Sequence, residues 1–235
     1  MTNPPAPYAA LDGVLSQARH LLLDFDGPVC TLYTRKPEPP AADQLRSILT
    51  ASGAEIPAEI AGTADPLAVL AYAATLGTQL ARQAEAQLTR QELAAATTAR
   101  PAGYSHDLIS SARESRRTVT VISTHSAHAI RAYLDLASVT DLVALVIGRR
   151  GYATDLTAEQ DIIDRALAAM SADPSACAVL TASPDLVRIA TARGVATIAY
   201  AQIPGADDPA SPHAQATVTT LADLVIRLRA RPLPN

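Results

Sequence analysis

The sequence predicts an α/β fold, a Rossmann-like parallel-sheet core with an inserted all-helical cap, on three observations. The apolar run Leu21–Leu23 ends in Asp24-Phe25-Asp26 and a Gly27-Pro28 turn, the pattern of a buried strand that delivers polar residues to its C-terminal end. From Thr118 onward short strand-like runs alternate with helical spacings, as in a sheet built with crossover helices. Between two breaks rich in Pro and Gly, Arg35–Pro40 and Arg100–Gly103, the pattern is helical throughout. The expected division is therefore 1–34 and 101–235 for the core and 35–100 for the cap.

Each element has its own justification. Tyr8–Ala18 reads as a short amphipathic helix leading into the Leu21–Leu23 strand. The prolines of Arg35–Pro40 block helix and ladder alike and mark the exit from the core. In the cap, spaced Leu, Ile and Ala predict helices over Ala42–Ala51, Pro66–Ala74, Leu76–Leu88 and Arg90–Ala99, broken at Gly53, Pro57, Gly62 and Pro66. The chain returns through a helix at Ser105–Glu114. Strands are expected at Thr118–Ile122, Leu142–Ile147, Ala178–Leu180 and Ala196–Tyr200, and helices at Ala127–Leu136, Ala158–Met170, Asp185–Ala192 and Leu221–Arg229. Ile203–Pro212, with its Asp, Gly and Pro, suits an exposed loop.

Composition narrows the function classes. The 235 residues are 49% hydrophobic, enough to bury a sizeable core. Net charge is -4, and the 19 basic residues are scattered rather than gathered in a stripe, which argues against a nucleic-acid partner. No run reaches the ~18 apolar residues of a membrane span, and MTNPPAPYAA has neither a basic start nor an apolar stretch, so a cytoplasmic location and no membrane partner are expected. Cys30 and Cys177 form no metal spacing and no disulfide framework, and Cys30 reads as a small packing residue. Oligomeric state is left open.

In an open parallel sheet the ligand crevice lies outside the carboxyl ends of the strands, where Asp24 and Asp26 end their strand. With Phe25 between them, an extended backbone points the two carboxylates to opposite faces unless Gly27-Pro28 turns the chain. Ser123 follows one strand and precedes a helix, where a hydroxyl and backbone N–H groups hold a phosphate oxygen or where Ser simply caps the helix. His125 belongs on the same rim, whereas His128 reads as a surface or packing residue. Arg149 and Arg150 offer cations beside the crevice or are solvated loop arginines. Asp185 is either a metal ligand or the N-terminal acid of its helix.

Asp24-Phe25-Asp26-Gly27 resembles the first motif of the haloacid dehalogenase superfamily of hydrolases, and the order of elements from Leu21 to about Leu224 resembles its small phosphoglycolate-phosphatase-like members. The resemblance implies Asp24 as nucleophile and Asp26 as general acid/base. It makes Ser123, in Val121-Ile122-Ser123-Thr124, the second-motif hydroxyl that holds the transferred group, with Thr124, His125 and Arg149 as further substrate- or phosphate-binding candidates. It also implies a phosphomonoester substrate and Mg2+ held by Asp24, Asp26 and a fourth-motif acid, for which Asp185 is the available residue. The pattern departs in two places. Thr157 stands where the third-motif Lys belongs, forming with Gln160 a capping box, and Lys36, the sole lysine, lies at the cap junction. Ala182 and Leu186 stand where the fourth-motif acids belong, one residue out of step with Asp185.

The expected function is hydrolysis of a small molecule through Asp24, with weak or altered activity because the motif Lys and metal-binding Asp are replaced. Two alternatives stay open: a catalytically silent protein of the same fold that binds a ligand or partner, and a repurposed, metal-independent enzyme using Asp24 and Asp26. Asp24, Asp26, Ser123, Thr157, Ala182 and Asp185 are expected to converge on one crevice.

Overall fold

A computed structural model describes residues 6–34, 39–149, 151, 158–201 and 211–234. The apolar run after His20 forms strand β1 (His20–Asp24), whose three leucines are all buried. Successive side chains leave a strand on opposite faces. Leu21 and Leu23 accordingly join one apolar cluster with Leu15, Ile109, Leu134 and Leu224, while Leu22 joins another with Ile162, Ile163 and Ile189. A strand buried on both faces must be flanked by helices on both, which is why it reads as a continuous apolar run.

The other core strands are β4 (Thr118–Ser126), β5 (Leu145–Arg149), β6 (Cys177–Thr181), β7 (Ala196–Tyr200) and β8 (Ala216–Val218), after the short β2 (Cys30–Thr31) and β3 (Arg100–Pro101). Six of them form one sheet in the order β5-β4-β1-β6-β7-β8, and each neighbouring pair is parallel. One layer holds helices α1 (Ala6–Gln17), α6 (Ser105–Glu114), α7 (Ala127–Leu136) and α10 (Leu221–Ala230); the other holds α8 (Ala158–Met170) and α9 (Pro184–Ala192). Buried Arg117 ties this frame together, donating to the carbonyls of Leu15 and Ala18 at the end of α1 and of Arg231 after α10.

The chain leaves the core through β2 and re-enters through β3, which pair antiparallel with Cys30 opposite Pro101. Between them lie α2 (Ala41–Ala51), α3 (Ala58–Gly62), α4 (Pro66–Leu76) and α5 (Thr78–Ala96), packed on their own apolar cluster of Leu45, Leu49, Val69, Leu70 and Leu88. Asp65 caps α4, accepting from Leu67 N at 2.8 Å. The helices expected at Leu76–Leu88 and Arg90–Ala99 are instead the single 19-residue α5. Thr89, between the two expected helices, turns its hydroxyl to Glu85 Oε1 one helical turn back, at 3.1 Å, and the helix continues.

Other elements also differ from expectation. β5 starts at Leu145 rather than Leu142, because Thr140–Leu142 forms a 3-10 turn. β4 runs past Ile122 to Ser126, with a shift in register before Ser126 pairs with Arg149. β8, three residues long, has too short an alternation to be visible in sequence. Residues 203–210 of the expected loop, with Lys36, Arg150 and Thr157, lie outside the described residues.

The tight junction of β4, β5 and α7 depends on Gly148. A Cβ there would stand 2.4 Å from Ala127 N and 2.8 Å from the His125 carbonyl oxygen, both backbone atoms that cannot swing aside. Gly148→Ala is expected to cost about 3 kcal/mol of stability, read from denaturant unfolding; an unchanged midpoint would show that the junction relaxes.

Candidate functional site

Parallel strands end together, so β1, β4 and β6 deliver their last residues to one edge. Asp24 pairs in register with Ile122, next to Ser123, and Leu23 pairs with Leu180, next to Thr181. Asp24 is partly buried, and its Oδ2 accepts from the Thr181 hydroxyl at 2.6 Å. That hydroxyl accepts in turn from Ser183 N at 2.9 Å, which aims its proton at the carboxylate.

Phe25 separates the two acids as the alternation predicts. It is fully buried, with its ring edge-on to Tyr133 at 5.4 Å and to His125 at 6.3 Å. Asp26 is exposed, and its Oδ1 accepts from Leu32 N at 3.2 Å across a turn in which Gly27 adopts φ 105°. Cys30 is buried beneath this turn; burial first, then the Asp26 and Asp24 carboxylates, push its thiol pKa up, so it stays protonated and packs.

Ser123 is buried and its Oγ accepts from His125 N at 3.1 Å. The helix cap is Ser126, whose Oγ accepts from Ala129 N, so Ser123 does not cap α7. Asp24, Ser123 and Thr124 share a recess of about 40 Å³ with Ile122, Ile162 and Leu186. That is room for about one or two water molecules. Leu186, where an acid was looked for, fills this place with hydrocarbon and belongs to the apolar cluster of α8 and α9.

A magnesium ion needs near-octahedral oxygen ligands, usually including carboxylates. Position 182 is Ala and position 186 is Leu. Asp185 is a correction to the expected ligand set. It lies exposed at the start of α9, paired with Arg188 at 3.1 Å, and does not line the recess. Among the described residues no group of three or more His, Cys, Asp or Glu is placed to hold a metal. Among the described residues lining the recess, a magnesium ion would find one carboxylate, that of Asp24.

Arg149 is a second correction. Rather than facing a phosphate, its guanidinium is saturated: Nε donates to Glu85, Nη1 to Glu92 Oε1 at 2.7 Å and to the Thr124 carbonyl at 2.9 Å, and Nη2 to Glu85 and Glu92 at 3.0 Å. Five N–H groups are all that an arginine has. Glu92 is as fully engaged, its Oε2 also accepting from Ser126 N at 2.9 Å and its Oε1 lying 3.1 Å from His125 Nδ1. Burial alone would raise the Glu92 pKa, but hydrogen bonds from His125 and Arg149 and the Arg149 charge outweigh it and hold the carboxyl at about 2. Tyr33, beside this cluster, is pushed up to about 12 by burial and then by the Glu92 charge. The clamp joins β5 of the core to α5 of the insertion.

Glu85, Glu92 and Thr181 escaped the sequence reading. The buried stripe of α5 runs Ala81, Ala84, Leu88, Glu92, Ala96, and an acid inside an apolar stripe was the available signal for Glu92. Between insertion and core lies a cavity of about 480 Å³, walled by Tyr33, Pro66, Leu67 and Leu88 and closed at its polar end by Thr124, His125 and the clamp. Thr124 lines both spaces, so the cavity and the Asp24 recess adjoin.

Several solved structures share this architecture at low sequence identity. A haloacid dehalogenase-like hydrolase from Streptococcus pneumoniae matches with TM-score 0.61 and 11% identity over 90% of this chain and 98% of its own. CbbY from Rhodobacter sphaeroides, in complex with phosphate, matches with TM-score 0.61 and 15% identity over 88% and 96%. L-2-haloacid dehalogenase from Xanthobacter autotrophicus, with chloropropionic acid covalently bound, matches with TM-score 0.55 and 14% identity over 90% and 98%. No protein-family model and no curated protein matches the chain. At these identities the likeness shows the fold: the chain folds as the haloacid dehalogenase-like hydrolases do.

The Glu92 pKa fixes how the clamp responds to acid. A carboxyl held at about 2 in the folded state, against an ordinary 4.5, contributes stability above pH 4.5 that is lost as pH falls toward 2. The contribution is on the order of 3 kcal/mol. Denaturant unfolding across this range should show that loss in the wild type and a flatter dependence in Glu92→Gln; parallel curves would show that Glu92 is not the group responsible.

Proposed function

We propose that this chain hydrolyses a small molecule with Asp24 as nucleophile and without a divalent metal. The observation that carries this reading is the Thr181-oriented carboxylate of Asp24 beside a small recess, walled in part by Ile122, Ile162 and Leu186, that adjoins a ligand-sized cavity. A carboxylate stripped of part of its hydration and held in one orientation is a better nucleophile than a solvated one. The phosphate and the covalently bound chloropropionic acid in the structural neighbours support a small-molecule substrate. Ser123 and Thr124 are the candidates to hold the transferred group, and Asp26, at the exposed turn, to exchange protons with solvent.

Charge points to the substrate class. Arg149 is the sole arginine or lysine among the described lining residues, and two carboxylates already neutralise it. A phosphomonoester dianion, the substrate the resemblance implies, would find no uncompensated cation among the described lining residues, whereas a neutral ligand with an apolar body matches the Pro66, Leu67 and Leu88 wall. No helix among the described residues is long and apolar enough to cross a membrane, in keeping with an enzyme of the cytoplasm. The silent-binder reading is favoured by one observation, the small volume, about 40 Å³, left beside Asp24 by Leu186 and Ile162.

Hydrolysis of p-nitrophenyl phosphate and p-nitrophenyl acetate, each with EDTA and with added Mg2+, distinguishes the two. Slow turnover that survives EDTA and falls about 100-fold or more in Asp24→Asn is expected. Equal rates in both proteins would leave a ligand-binding protein, and turnover that requires Mg2+ would overturn the metal-free reading.

A further inference from the structure

The imidazole of His125 is held from one side and open on the other. Its Nδ1 lies 3.1 Å from Glu92 Oε1, and Glu92 is buried with both oxygens also accepting from Arg149. An ionised carboxylate only accepts, so the shared proton sits on Nδ1, and in the neutral ring Nε2 carries the lone pair. Edge-on contacts with Phe25 at 6.3 Å and Tyr33 at 5.9 Å fix the ring plane. Nε2 has no hydrogen-bond partner among the described residues, and it is not among the buried side-chain atoms left without one. It is therefore accessible, and the ring lines the 480 Å³ cavity, one residue along from Thr124, which also lines the Asp24 recess.

We propose that Glu92 and His125 form an acid/base dyad in which Nε2 takes the proton of the water that completes hydrolysis at Asp24. This rests on Asp24 as the nucleophile. In the first step an Asp24 oxygen bonds to the substrate's electrophilic centre and the leaving group departs with its bonding electron pair. In the second, a water oxygen bonds to the transferred group and its proton passes to Nε2. The bond from that group to Asp24 breaks, its electron pair restoring the carboxylate, and the proton on Nε2 leaves to solvent with the product.

Glu92 orients the ring and faces the positive charge that forms on it, the part a buried carboxylate plays for a catalytic histidine. Among the described residues, the charged and titratable groups around the ring are Glu92, Arg149 with its second partner Glu85, and Tyr33, and Asp65 lines the same cavity. Two carboxylates and one guanidinium leave the clamp with one net negative charge, which an imidazolium formed during proton transfer neutralises.

The test compares wild type, Asp24→Asn, His125→Asn and Glu92→Gln on p-nitrophenyl phosphate and p-nitrophenyl acetate. Asparagine at 125 can still donate to Glu92 and so preserve the clamp; His125→Gln is the second variant should His125→Asn not fold. The expected result is an initial burst of p-nitrophenol in the His125 variant, a steady-state kcat about 100-fold lower, and loss of one limb of the pH profile. Intact-mass spectrometry should then find the phosphoryl or acetyl group retained on Asp24. Glu92→Gln should lower kcat less and displace the same limb.

A wild-type pH profile and kcat in the His125 variant, with turnover abolished in Asp24→Asn, would overturn the dyad and leave Asp24 as nucleophile. A lower rate with an unchanged profile and no adduct would make His125 a packing residue and also overturn it. Absence of Asp24-dependent turnover on either compound in the wild type would sink both proposals together.

Discussion

Arg149 leaves the end of β5 and meets two carboxylates of α5, and the placement of the insertion over the sheet edge follows from that buried ion pair. Removing three charges from water costs several kcal/mol per ion, repaid only where geometry is good and every donor and acceptor is used. Here every N–H of Arg149 has an acceptor, and Glu92 satisfies Arg149, Ser126 N and His125 at once. A pair built this completely specifies one arrangement, because any shift of α5 along β5 would strand a buried charge.

The same saturation decides what the cavity offers a ligand. A guanidinium beside a ligand cavity ordinarily attracts anions, but here its charge and its donors are spent on the protein. Opposite it, Leu186 and Ile162 take the space beside Asp24 and lower the local polarity. Beside Asp24 the described residues supply the Thr181 hydroxyl and a small recess, and the oriented imidazole of His125 lines the cavity that adjoins it. The fold is shared with hydrolases, and function resides in the residues placed on it.

The sheet and its helical layers were legible in the sequence because hydropathy period is a local property. Leu21–Leu23, the runs after Thr118, and the breaks at Arg35–Pro40 and Arg100–Gly103 carry their signal within a few residues. Asp24, Asp26 and Ser123 were likewise identifiable as strand-end residues, since strand ends in a parallel sheet are reactive positions by topology. Where local signals are short or shared, the reading slipped: three residues of β8 gave no period, and two helices were expected where α5 is continuous.

What the sequence by itself determined is the alternation of strands and helices, the helical segment between the two Pro- and Gly-rich breaks, and the edge at which Asp24 sits. Tertiary structure alone decided which donor meets which acceptor. Arg149 and Glu92 are 57 positions apart, and Thr181 and Asp24 157 apart. No local pattern foretells such meetings, because they depend on how helices and strands pack, not on how each one forms. Thus Arg149 became a clamp instead of an anion site, Asp185 a surface residue instead of a ligand, and Glu92, one acid in an apolar stripe, the partner of His125.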